Sequence, residues 1–132
     1  MAGAGEARPF SAGVDVVTPD AVLRALTALD AVLANELELA VEMRRRIGEI
    51  RSGRGAGLSY AEIAAAEPRP ALVELLAQAA RALDDAGAHV RRTEARALYD
   101  EGLTMDEIAA HFGVTRQRVS TILREFRELD AE

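Results

Sequence analysis

A chain of 132 residues fits one compact domain or two very small ones, since a domain takes roughly 100–200 residues, and a large multidomain enzyme is excluded. Its 22 acidic residues outnumber 16 basic ones for a net charge of −6, which argues against coating nucleic acid by bulk charge, although a local basic patch escapes that argument. All 16 basic residues are arginine and alanine is abundant, the mark of a GC-biased bacterial genome, while the lack of cysteine excludes a disulfide scaffold, a thiol nucleophile and a cysteine-based metal site.

Residues 1–17 carry no apolar periodicity and are rich in Gly and Ala, so a disordered arm is expected there. They also lack the basic start and apolar core of a signal peptide, and no stretch approaches the roughly 20 apolar residues of a membrane span, so a cytoplasmic protein with no membrane contact is expected. Thr18 before Pro19 has the form of a helix start, with a hydroxyl to cap free amides and a proline where its missing N–H costs nothing. From there Val22, Leu26, Leu29 and Leu33 recur at helical spacing, and Leu37, Ala40, Val41, Ile47 and Ile50 continue the stripe. The spacing predicts one long amphipathic helix from Pro19 to Arg51. A helix of that length needs another long helix or its own copy to cover it, so a homodimer through residues 19–51 is expected. Within it Arg44, Arg45 and Arg46 spray around the axis and read as solvated surface rather than a phosphate site.

The alternating glycines of Ser52-Gly53-Arg54-Gly55-Ala56-Gly57 predict a stop and a turn; without a preceding strand or a lysine they do not make a nucleotide loop. Ser59 and Glu62 form a capping box for a short helix through Ala66, ended by Pro68. Pro70 is expected to start a second long helix, in which Leu72, Leu75, Leu76, Ala79, Leu83, Val90 and Leu98 keep helical spacing to about Glu101. Gly87 interrupts that stripe at a cost of roughly 1 kcal/mol, which a packed helix tolerates, so the helix is predicted to be continuous. No segment alternates with a period of two, and the chain reads as all-α.

The C-terminal part carries the functional signal. Gly102 ends the long helix, and Thr104 with Glu107 forms a second capping box opening a short helix that turns Met105, Ile108, Ala109 and Phe112 inward. Gly113 permits a tight turn, Val114 is expected to plug the angle between helices, and Thr115 caps the next helix, over 116–128. There Val119, Ile122, Leu123 and Phe126 share one face, with Gln117, Thr121 and Arg124 opposite and Arg116 and Ser120 beside them. This is the pattern of a helix-turn-helix, whose second helix enters the DNA major groove. Arginine forks suit guanine edges, Gln suits adenine, and Ser or Thr suit several bases; Arg118 and Arg127 point toward phosphates instead. A partial copy of the start of this unit, Gly57-Leu58-Ser59-Tyr60-Ala61-Glu62-Ile63-Ala64-Ala65, lies upstream, but Glu67-Pro68-Arg69-Pro70 replaces the glycine turn, so it is read as a packing unit.

Thr104–Arg124 resembles the −35-reading helix-turn-helix of bacterial primary sigma factors, through Glu107-Ile108-Ala109, Phe112-Gly113-Val114-Thr115-Arg116 and Arg118-Val119. The resemblance implies base contacts by Arg116, Gln117 and Thr121, with Thr115 and Arg118 near the backbone. Gln117 stands where an acid is usual, Ser120 where Arg is usual and Thr121 where Gln is usual, so a −35 preference does not carry over. The chain has no room for the sigma parts that bind core polymerase, which makes a stand-alone regulator the expectation.

The organisation expected is therefore a disordered arm at 1–17, a helical hairpin or coiled-coil-like scaffold for dimerisation at 18–87, and a tri-helical DNA-binding region at 88–132. The DNA-binding residues expected are Thr115, Arg116, Gln117, Arg118, Ser120, Thr121, Arg124 and Arg127, with double-stranded DNA as partner. No cofactor is implied. His89 and His111 have no companions at metal-ligand spacing, and no nucleophile sits with a base, so neither a metal site nor an enzyme is expected. The alternative is an adaptor whose long helices bind a sigma factor, a sensor or a polymerase subunit; nine arginines against thirteen acids through Gly87 keep it open.

Overall fold

The computed structural model of the chain describes residues 20–130, with side chains through Arg127. The described residues form five helices and no strand: α1 (Ala21–Gly55), α2 (Tyr60–Ala66), α3 (Leu72–Asp100), α4 (Met105–Phe112) and α5 (Arg116–Asp130). The all-α architecture expected from periodicity is the one observed. The arm at 1–17 and the Thr18–Pro19 start lie outside the described residues. The cap of α1 is Asp20, whose Oδ1 accepts from the Leu23 amide at 2.7 Å.

α1 runs 35 residues, about 52 Å at 1.5 Å per residue, and continues through Gly53 and Gly55 rather than stopping at Arg51. The break falls at Gly57, which takes φ +90°, a left-handed conformation that glycine adopts without penalty. Gly53 stays helical and serves a close approach: a Cβ there would meet the Ile63 side chain of α2 at 3.1 Å.

On α1 the covered positions Val22, Ala25, Leu29, Val32, Glu36, Leu39, Met43, Arg46 and Ile50 follow alternating three- and four-residue steps that make a seam toward α3 and, at Ile50, toward α2, with Ala21, Glu42 and Gly53 also covered. α3 answers with Leu72, Leu75, Ala79, Ala82 and Ala86 at the same steps. The stripe expected from the sequence is thereby corrected. Val22, Leu29 and Ile50 lie on the seam, whereas Leu26, Leu33, Leu37, Ala40, Val41 and Ile47 are exposed on the adjoining face. On α3, Leu76 and Leu83 are exposed likewise.

Arg46 overturns its reading as solvated surface. At 6% exposure it lies at the α1–α3 seam, where Nη1 donates to the Pro70 carbonyl at 2.9 Å and to the Pro68 carbonyl at 3.3 Å, and Nε donates to Glu42 at 2.8 Å. The side chain ties the loop between α2 and α3 to α1. Arg44 and Arg45 are exposed as expected, with Arg45 bonded to Glu42 and Glu49 on its own helix.

The Ser59–Glu62 capping box is formed in both directions, at 3.0 and 2.8 Å. α3 begins at Leu72, two residues later than Pro70, because acidic side chains cap it: Glu74 accepts from the Ala71 amide at 2.9 Å and Glu67 from the Leu72 amide at 2.7 Å. The helix then runs unbroken through Gly87 to Asp100. Its last turns enter a second core, in which Ala95 packs with Ile108, Ala109, Val119, Ile122 and Leu123, bordered by Leu98, Leu103, Met105 and Phe112.

Candidate nucleic-acid interface

This second core belongs to a tri-helical unit made from the end of α3, α4 and α5. Gly102, at φ +104°, ends α3. Thr104 and Glu107 then exchange the two bonds of a capping box at 3.1 and 2.8 Å, fixing where α4 starts. Ile108 and Ala109 sink into the core, and Gly113 closes α4 in the left-handed region at φ +69°, ψ +35°. Its φ explains the glycine: a side chain there would crowd the following carbonyl.

Val114 corrects the expected plug. It is 37% exposed and lies outside the core cluster; its amide, donating to the Ala109 carbonyl at 3.0 Å, is what fastens the turn. Phe112 and Met105, both half-buried, pack against that core instead. Thr115 caps α5 as expected, its Oγ1 accepting from the Arg118 amide at 3.1 Å.

α5 is split by its periodicity. Val119, Ile122 and Leu123 are buried and Phe126 is half-buried, which fixes the rotation of the helix and turns Arg116, Gln117 and Arg124 to solvent. Thr121 and Ser120 are half-buried beside them, and Thr115, Arg118 and Arg127 are exposed. The predicted residues therefore share one element but not one direction: Gln117, Thr121 and Arg124 follow each other along one line, with Arg118 and Arg127 off it. Thr121 Oγ1 donates to the Gln117 carbonyl at 3.2 Å and accepts from Arg124 Nη2 at 3.5 Å, so the middle of that line is linked.

The acid beside Arg116 is what the sequence did not reveal. Arg116 Nη1 lies 3.4 Å from Asp106 on α4, and Arg118 Nη1 4.0 Å from Glu125. Arg118 and Glu125 are two helical turns apart on α5, a relation visible in the sequence. The Asp106 pair spans the turn between two helices and leaves no local signature. Over residues 96–127 five arginines face five acids, so the unit as a whole is neutral; Arg96, on α3, pairs with Asp100, and the other four arginines lie on α5, whose N-terminal amides add to their charge. His111 Nε2 lies 3.6 Å from Glu94, joining the end of α4 to α3. Among the described residues no group of three or more His, Asp or Glu is placed to hold a metal, and no described helix is long and apolar enough to cross a membrane.

Neither the curated proteins nor the solved structures give a match to the chain. Residues 96–127, a quarter of the chain, match the family model described as Sigma-70, region 4. That span opens in the last turns of α3 and closes in α5, covering every residue of the second core except Ala95, and the helix-turn-helix built on it is similar to sigma region 4.

Proposed function

We propose that this protein is a cytoplasmic, sequence-specific DNA-binding transcriptional regulator, a binding protein rather than an enzyme, which inserts α5 into the major groove. The observation that carries the reading is the rotation of α5: an apolar face buried in a region-4-type unit, and a line of Gln117, Thr121 and Arg124 flanked by Arg116 on the side facing away from it. In this reading Arg116, Gln117, Ser120, Thr121 and Arg124 address base edges, while Thr115, Arg118 and Arg127 address phosphates. The α1–α3 hairpin pairs two copies so that two heads engage two half-sites.

Selection of genomic fragments by the purified protein tests it. A defined subset should be retained, and R116A or R124A should weaken that binding by about 1–3 kcal/mol while R118A mainly lowers its salt dependence. Retention of all fragments alike, or indifference to all three substitutions, overturns the reading.

The exposed apolar face of α1 and α3 favours a second reading, an adaptor that binds a sigma factor, a sensor or a polymerase subunit. It predicts no fragment selection, and a protein partner competed away by polar substitution of Leu37.

A further inference from the structure

We infer that the hairpin dimerises through its exposed apolar face with α1 lying antiparallel against α1 of a second copy, in a four-helix bundle whose two-fold axis crosses α1 at Leu37. The inference rests on the homodimer in the proposed function and adds its surface and orientation.

Each long helix carries two apolar series. On α1 the series Leu23, Leu26, Leu33, Leu37, Ala40 and Ile47 is exposed and follows the buried seam by one residue at every step. On α3, Val73, Leu76, Ala80 and Leu83 follow the seam positions Leu72, Leu75, Ala79 and Ala82 by the same one residue. One residue is a rotation of about 100°. α1 and α3 are antiparallel, so viewed from one end the rotation is clockwise on one and anticlockwise on the other. Both exposed series therefore turn to the same side of the hairpin.

The resulting face is about 36 Å long on α1, from Leu23 to Ile47, and about 15 Å long on α3, from Val73 to Leu83, or roughly 500 Å² at about 10 Å per helix, enough to form the centre of an interface in which each partner buries roughly 800 Å². Leu37 and Val41, at 72% and 70% exposure, lie in its middle. An exposed apolar patch of several hundred Å² marks an interaction surface.

Charge selects the occupant and its direction. In Asp20–Glu38 four acids face Arg24 alone, whereas residues 39–55 hold five arginines against Glu42 and Glu49. The first stretch thus carries net −3 and the second net +3. A second copy laid antiparallel sets each half against its opposite; a parallel copy sets like against like. The exposed series itself is interrupted twice, by Asp30 seven residues before Leu37 and by Arg44 seven residues after it. Both are exposed, and neither forms an ion pair among the described residues. The two-fold at Leu37 brings Asp30 of each copy to Arg44 of the other. It also sets α3 against α3 of the partner and sends the two reading heads to opposite ends of the bundle.

The chain has no cysteine, so single introduced thiols report the geometry in the full-length protein. Light scattering should give a dimer at micromolar concentration, and oxidation should cross-link L37C to itself but neither L23C nor I47C, whose copies stand about 42 and 30 Å apart in this arrangement. D30R or R44D should each raise the dimer dissociation constant about tenfold, and D30R/R44D should restore it. A dimer that cross-links at Leu23 and Ile47, fails to cross-link at Leu37, or is not rescued by the double reversal overturns the antiparallel interface and leaves the homodimer standing. A monomer overturns both.

Discussion

Arg116 Nη1 and Asp106 Oδ2 lie 3.4 Å apart across the turn of the helix-turn-helix, joining the first turn of α5 to the first turn of α4. Both side chains are largely exposed, so the pair contributes little to stability, about 0–1 kcal/mol. In the proposed DNA complex its weight falls on recognition. An arginine that must leave a carboxylate to reach a base binds more weakly than a free one, and the acid itself repels phosphate. D106N should therefore tighten specific DNA binding several-fold, by about 1 kcal/mol, with the melting temperature nearly unchanged. Fluorescence anisotropy with a selected fragment measures it; weaker binding would show that the pair positions Arg116 for its base.

Three successive arginines provide an internal control. R46A removes a buried guanidinium that holds two loop carbonyls and Glu42, and should cost about 2–3 kcal/mol in urea unfolding. R44A, at an exposed position, should change the unfolding of the monomer by less than about 0.5 kcal/mol. R46K should rescue little, since one ammonium cannot reproduce the fork that reaches both α1 and the loop.

Glu36 occupies a seam position, and its Oε2 is buried without a hydrogen-bond partner among the described residues. E36M keeps the length of the side chain and removes the unpaired oxygen. Stability should rise by about 1 kcal/mol, seen as a higher melting temperature. A fall would mean that the carboxylate serves a contact made in the assembled protein.

Two half-buried carboxylates make the scaffold sensitive to acid. Hydrogen bonds from Arg45 and then Arg46 hold the Glu42 carboxyl below its ordinary value, and the Ala71 amide, followed by Arg69, does the same for Glu74. Because the folded state holds these protons less tightly than the unfolded chain, their contribution is complete above the ordinary glutamate value of about 4.3 and is lost as the pH falls through the lowered folded values. Helicity at fixed temperature should hold from pH 7 to about 5 and decline below about 4.3, and E42Q/E74Q should flatten that decline.

What the sequence made legible was local. Both capping boxes, the Thr115 cap, the left-handed Gly113 and the inward face of α5 follow from residues three or four apart, and each stands where spacing put it. The seam of α1 was hidden because three of its positions are filled by Ala25, Glu36 and Arg46, while the larger leucines of the neighbouring series drew the stripe toward the exposed face. Arg46 finds its loop carbonyls 22 and 24 residues away and Arg116 its acid ten residues away, separations at which no helical period gives a signal. The Val114 side chain departs from its expected place for a different reason. Its backbone, not its side chain, secures the turn.

α3 is shared property: Leu75 and Ala79 belong to the hairpin, Ala95 to the second core, and no break separates them. A continuous helix resists bending and twisting, so each head is mounted on its half of the scaffold as a jaw is fixed to a caliper. In the proposed dimer, the distance and phase between the two half-sites it would bind are then set by the number of residues in α3. Adding four residues near Gly87 would advance each head about 6 Å and turn it about 40°, and a regulator so altered should prefer a different spacing.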